Sequence, residues 1–115
     1  MGDRTGQTAV IFLSVRTAAD EAGYGKAAAA MEELAAQQPG YCGFESARGP
    51  DGLGITLSYW ADEASAIAWR DQPDHTAIRD AGRARWYERY EVVVAEVGRS
   101  YAWARANDSG GGAAA

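Results

Sequence analysis

The chain carries one cysteine, Cys42, so no intramolecular disulfide can staple it. Sparse cysteine fits a reducing compartment, and a cytoplasmic location is expected. With one cysteine and one histidine, His75, there is no multidentate metal signature. Basic charge is also short: 11 Lys and Arg stand against 16 Asp and Glu, a net charge of −5. Such a balance repels phosphate backbones and anionic bilayers, which argues against nucleic acid and membranes as partners. No apolar run approaches the ~20 residues that span a bilayer. No basic segment followed by an apolar one opens the chain, so a secretory signal is not expected. No glycine-rich loop follows a strand, which leaves nucleotide cofactors unsupported. Ser14, Ser46 and Ser58 lie outside any known nucleophile motif. Proline occurs three times, at Pro39, Pro50 and Pro73, and each one punctuates the pattern.

What remains is enough for one domain. The 115 residues can bury a single core without metal or disulfide support. Residues 8–103 read as the folded unit, and residues 1–7 and 107–115 (the latter NDSGGGAAA) as flexible termini. Thr8 to Arg16 is β-branched and apolar and reads as a strand. Thr17 to Gln38 reads as a helix capped by Thr17, with Tyr24, Ala27, Ala28, Met31, Leu34 and Ala35 at helical spacing. Pro39-Gly40 ends it. Tyr41–Arg48 and Leu53–Trp60 flank Gly49-Pro50-Asp51-Gly52 and read as a hairpin. A short helix follows over Asp62–Asp71. Pro73 breaks it, and Asp74 is expected to cap another helix reaching about Arg85. The last strand centres on Val92–Val94. The order β-α-β-β-α-β is the ferredoxin-like α+β pattern, with both helical regions on one face of an antiparallel sheet.

The strands do not alternate as a sheet with one wet face should. Ile11, Leu13 and Val15 oppose Val10 and Phe12. Leu53, Ile55, Leu57 and Tyr59 oppose Thr56 and Trp60. Val93 and Val97 oppose Val92 and Val94. Helices cover only one face, and at ~25 cal/mol per Å² the other is costly to leave wet. A homodimer joined sheet to sheet, with cavities lined from both subunits, is therefore expected.

Several side chains are candidates for chemistry. His75 sits in the first turn of its helix, where the dipole disfavours imidazolium, so a neutral ring able to act as base or ligand is expected. At about 100° per residue, His75, Ile78, Arg79, Gly82 and Trp86 share one stripe. That stripe is either the wall of a cavity or a packed face with His75 bonded structurally. Trp60 and Trp69 flank the turn into the second helical region. Trp69 lies about 100° from the Ile67/Ala68 stripe and reads as a pocket wall, a dimer seam or a packing anchor. Arg83, Trp86, Tyr87 and Tyr90 form an aromatic and cationic cluster suited to a planar ligand, with Arg83 holding an anion or pairing to an acid such as Glu88. Cys42 reads as a buried small hydrophobe.

The passages Pro39-Gly40-Tyr41, Gly43 and Glu45, Ser58-Tyr59-Trp60, Glu63-Ala64, Ile67, Trp69, His75, Gly82-Arg83, and Trp86-Tyr87 with Tyr90 carry a likeness over residues 8–103. On them the chain resembles the antibiotic biosynthesis monooxygenase-like proteins of the dimeric α+β barrel superfamily. The resemblance implies a homodimer acting on small aromatic or polyketide-type molecules, in some cases in antibiotic biosynthesis, without metal or nucleotide cofactor. It also implies two alternatives, a haem-binding or haem-degrading protein and a non-catalytic binding dimer. Members that oxygenate commonly place an asparagine on the first strand, where this chain has Ser14 and Arg16. Haem degraders carry their ligand histidine further along the helix than His75, nearer Arg79. The expected site has His75 as proton acceptor and Arg83 as anion stabiliser. Trp60, Trp69, Trp86, Tyr87, Tyr90 and Tyr59 are its substrate-binding residues.

Overall fold

A computed structural model describes residues 3–106. The elements run β1 (Thr8–Arg16), α1 (Glu21–Ala36), β2 (Tyr41–Arg48), β3 (Leu53–Trp60), α2 (Glu63–Arg70), α3 (Pro73–Ala81), a π-helical turn (Gly82–Trp86) and β4 (Tyr87–Glu96). The four strands form one sheet in the order β2-β3-β1-β4, and every neighbouring pair is antiparallel. This is the ferredoxin-like α+β fold. No helix among the described residues is long and apolar enough to cross a membrane.

Local chemistry sets the boundaries. Helix α1 starts at Glu21 rather than after Thr17, and its cap is Asp20. Asp20 adopts the left-handed conformation at φ 51° and accepts a hydrogen bond from the Gly23 amide at 3.1 Å. A side chain on Gly23 would collide with that carboxylate. The Thr17 hydroxyl instead donates to the Arg85 carbonyl at 2.6 Å and ties α1 to the π turn. Gly40, at φ +83°, turns the chain out of α1 as the Pro39-Gly40 signal foretells. The hairpin closes where expected, with Gly49 and Gly52 amides bonded to Leu53 and Gly49 carbonyls at 2.9 and 3.0 Å.

Helix α2 is capped by Asp62, which accepts from the Ser65 amide at 2.8 Å. The cap of α3 is Gln72, not Asp74: its side-chain oxygen accepts from the His75 amide at 2.9 Å. Helix α3 stops at Ala81, four residues short of the expected end, and the π turn carries the chain into β4.

Register assigns the faces. Val10 opposes Ser58 and Val94, while Ile11 opposes Leu57 and Val93. The inner face, under the helices, therefore carries Val10, Phe12, Thr56, Ser58, Trp60, Val92 and Val94. The outer face carries Ile11, Leu13, Val15, Leu57 and Tyr59, with Leu53, Ile55 and Val93 each about 40% exposed. The core between α1, α2 and the sheet is built on Ala35, Trp60, Ala66 and Trp69, with Met31, Leu34, Tyr41 and Phe44 against it. The buried stripe of α2 is thus Ala66 and Trp69, three residues apart, and Ile67 is left 41% exposed. Cys42 is half-buried rather than buried.

Residues 3–7 do not hang free. The Gly6 amide bonds to the Val97 carbonyl and the Val97 amide to the Gln7 carbonyl, both at 2.9 Å. The Arg4 guanidinium lies 3.8 Å over the Tyr59 ring. The expected flexible segment 107–115 lies outside the described residues.

Candidate functional site

Between the inner face of the sheet and the helices lies a cavity of about 680 Å³. Its origin is legible in α1. A helix that filled this space would present Leu or Ile, but α1 presents Ala27 and Ala28 beside Met31, and short side chains leave volume. The sheet floors the cavity with Val10, Phe12 and Val92 toward one side and the hydroxyls of Ser46, Thr56 and Ser58 toward the other. Ser46 and Thr56 bond to each other at 3.1 Å, and Ser58 accepts from the Trp60 indole at 3.0 Å. The size and the mainly apolar walls with a few polar groups are those of a small-molecule site.

The residues that line the chamber come from α1, α2, α3, the π turn and the four strands of the single chain described. The chamber lies on the inner face of the sheet, under the helices.

His75 and Trp69 line it together. Their rings stack at 4.2 Å and 8°, and Trp60 stacks behind Trp69 at 5.7 Å. The Nδ1 atom of His75 is 2.8 Å from the Trp69 carbonyl oxygen. A carbonyl only accepts, so Nδ1 carries a proton and the neutral ring keeps its lone pair on Nε2. Burial pushes the His75 pKa below its ordinary value, and the Arg79 guanidinium acts in the same direction, against the Trp69 hydrogen bond. The ring is thus neutral near pH 7, as the helix-terminus reading anticipates, with burial as the leading cause.

The second group of wall residues comes from the π turn and β4. Trp86, Tyr87 and Tyr90 line the cavity with Phe12 and Tyr24. Phe12 packs on Tyr87 and Tyr90 at 5.4 and 5.2 Å, and Tyr24 meets Trp86 and Tyr87 edge-on at 5.9 Å each. Trp86 is fixed by its indole bond to Asp20 at 3.3 Å and by its carbonyl, which accepts from the Thr17 amide at 2.9 Å. Burial, aided by the neighbouring Tyr24 hydroxyl, raises the Tyr87 pKa well above its ordinary value and keeps its phenol protonated. Gly82 permits this packing: a Cβ there would stand 2.7 Å from the Tyr87 ring.

The structure therefore brings together His75, Arg83, Trp69, Trp86, Tyr87 and Tyr90 of the expected site. It leaves out two. Trp60 is fully buried behind Trp69 and serves as core. Tyr59 points to the outer face beneath Arg4, because strand alternation sends it away from Trp60. Arg83 is exposed and gives its Nε–H to the Tyr90 hydroxyl at 2.6 Å, rather than pairing with Glu88. Sequence reasoning passed over Tyr24 and the hydroxyl row as site residues, and it placed Arg79 on the His75 stripe without giving it a role. Arg79 also lines the cavity. Among the described residues, no cluster of three or more His, Cys, Asp or Glu side chains is arranged to hold a metal ion.

Comparison with known proteins places the chain in a family. The profile of the antibiotic biosynthesis monooxygenase family matches residues 7–81. The uncharacterised protein YqjZ of Bacillus subtilis (strain 168) is 50% identical over 91 residues, covering 79% of each chain. SnoaB, a cofactor-independent oxygenase from Streptomyces nogalater, superposes with a TM-score of 0.69 at 17% identity, covering 81% of this chain and 94% of its own. A conserved protein from Methanosarcina mazei Go1 gives a TM-score of 0.73 at 10% identity, covering 82% and 95%. The structural neighbours share the fold, and the profile and the Bacillus relative fix the lineage: the chain belongs to the antibiotic biosynthesis monooxygenase family.

Proposed function

We propose that this protein is a cofactor-independent monooxygenase for a planar aromatic or polyketide-type small molecule, and that it works as a homodimer. One observation carries the reading: a histidine whose tautomer is fixed by a main-chain carbonyl, neutral at pH 7, faces an aromatic-walled chamber of about 680 Å³. Oxygenation without metal or flavin needs a substrate that itself supplies the electrons once it is deprotonated. The protein then has to remove a proton, hold the anion and keep bulk water away.

The chain's residues meet those needs. Nε2 of His75 accepts the proton from an activated carbon or its enol. Trp69, Trp86 and Phe12 clamp a flat ring, and the Tyr87 and Tyr90 hydroxyls meet its polar edge. The carbanion reacts with dioxygen. A methylene carbon loses two hydrogens and gains one oxygen as a carbonyl, and the second oxygen leaves as water.

The test is oxygen uptake with a polycyclic phenolic ketone that bears an acidic methylene. His75→Ala is expected to lower turnover by roughly 10²–10⁴-fold with the fold intact. Unchanged turnover rejects the base. Haem ligation is the competing chemistry for a free imidazole nitrogen. A Soret band on adding haemin, lost in His75→Ala, moves the assignment to haem.

A further inference from the structure

The wall of the cavity contains an arginine, Arg79, whose side chain is 33% exposed and whose Nε the fold leaves without a partner. Arg79 follows His75 by one helical turn on α3, so the two side chains share a face. Its Nε is buried and has no hydrogen-bond partner among the described residues. The nearest carboxylate, Asp80, stands 4.0 Å away and points to solvent at 64% exposure, outside hydrogen-bond reach. A buried, unsatisfied polar atom is costly unless something supplies the missing acceptor. The other cations at the cavity differ. Arg83 spends its Nε–H on Tyr90, and Arg70 is held by Asp71 at 2.9 Å. The acids on the lining, Glu32 and Glu63, are both exposed.

We propose that Arg79 is the anion-binding residue of the cavity and that the ligand presents an acidic oxygen to it, a carboxylate or an ionisable enol or phenol, beside His75. This rests on the reading of the cavity as the substrate site, and it names the substrate class: a flat, apolar molecule carrying one acidic oxygen. It also moves the anion-holding role from Arg83 to Arg79. The closeness of the guanidinium to the imidazole accords with its depressing effect on His75. An anionic ligand seated between them reverses that effect and strengthens His75 as a base once substrate is bound.

A matched pair of dyes tests the idea without turnover. Anilinonaphthalene sulfonate and phenylnaphthylamine share one aromatic frame, and only the first bears an anion. Wild-type protein is expected to bind the sulfonate about 10-fold tighter than the neutral dye, by fluorescence titration. Arg79→Gln is expected to abolish that preference while the neutral dye binds as before, and Arg83→Gln to keep it. Should Arg79→Gln fail to fold, Arg79→Lys carries the test: it keeps the charge but not the fork, and part of the preference is expected to remain. Equal binding of the two dyes by the wild type, or a preference that survives Arg79→Gln, overturns the proposal. Because the readout is binding, a wild type that consumes oxygen but binds the two dyes equally removes the anion anchor alone. An intact preference in a chain without turnover keeps the anchor and removes the oxygenase.

Discussion

At the scale of single residues the proposed chemistry concentrates in His75. Its folded pKa lies below the ordinary imidazole value of 6.5, so between those two values the unfolded chain binds the extra proton. Stability therefore rises with pH across that window and is lost as pH falls below 6.5 through the folded value. A profile of kcat/KM against pH, which reports the free protein, should show an acid limb with its midpoint below 6.5, and His75→Gln should remove both that limb and its share of the acid sensitivity. Because His75 stacks at 4.2 Å on Trp69, tryptophan emission followed through the same titration gives an independent readout of the ring's charge. Part of this site was legible in the sequence, since helical spacing places His75 and Ile78 on one stripe of α3. Arg79 sits on that stripe too, yet the anion-holding role went to Arg83. A rotation of 100° per residue holds only while the helix is α, and the π turn from Gly82 shifts the phase just where Arg83 falls. Arg83 is carried out to Tyr90, and Arg79 stays beside His75.

At the scale of elements, the stack Trp60–Trp69–His75 links sheet, α2 and α3 in one column. Trp60→Ala is expected to destabilise the fold by about 3–5 kcal/mol, measured by chemical denaturation, because a fully buried indole is replaced by a void. Gly40→Ala should also lower the thermal midpoint. Gly40 holds a positive φ, and a Cβ there meets the Ser65 hydroxyl. Strand and hairpin boundaries were readable because β-branched runs and the Gly49–Gly52 turn signal agree with the tertiary structure. Helix starts were less so. Thr17 is a good cap by residue type, but its hydroxyl is drawn to the Arg85 carbonyl by a contact between distant parts of the chain. Asp20 caps from a left-handed conformation that residue type does not announce. Asp74 likewise yields to Gln72, whose longer side chain reaches back to the His75 amide.

At the scale of the whole molecule, the sheet separates two surfaces of different use. The inner one floors the chamber. The outer one leaves Leu53, Ile55 and Val93 about 40% exposed among half-buried Ile11, Leu13 and Leu57, and a second copy laid on it removes that apolar area from water at ~25 cal/mol per Å². Ile55→Glu combined with Val93→Glu is expected to give a protomer in sedimentation where the wild type sediments as a pair. A wild type that stays single at micromolar concentration refutes the pairing. The failure of strict alternation along the strands foretold this second greasy surface, whereas the sequence did not reveal that the chamber lies on the opposite side. That separation has a consequence for how such a pair operates. Under the proposed pairing through the outer face, each chain keeps its own chamber on the inner face, lined by its own residues. Saturation curves should be hyperbolic with one equivalent taken up per chain, and a hybrid of one intact and one His75→Ala chain should run at half the rate of the parent.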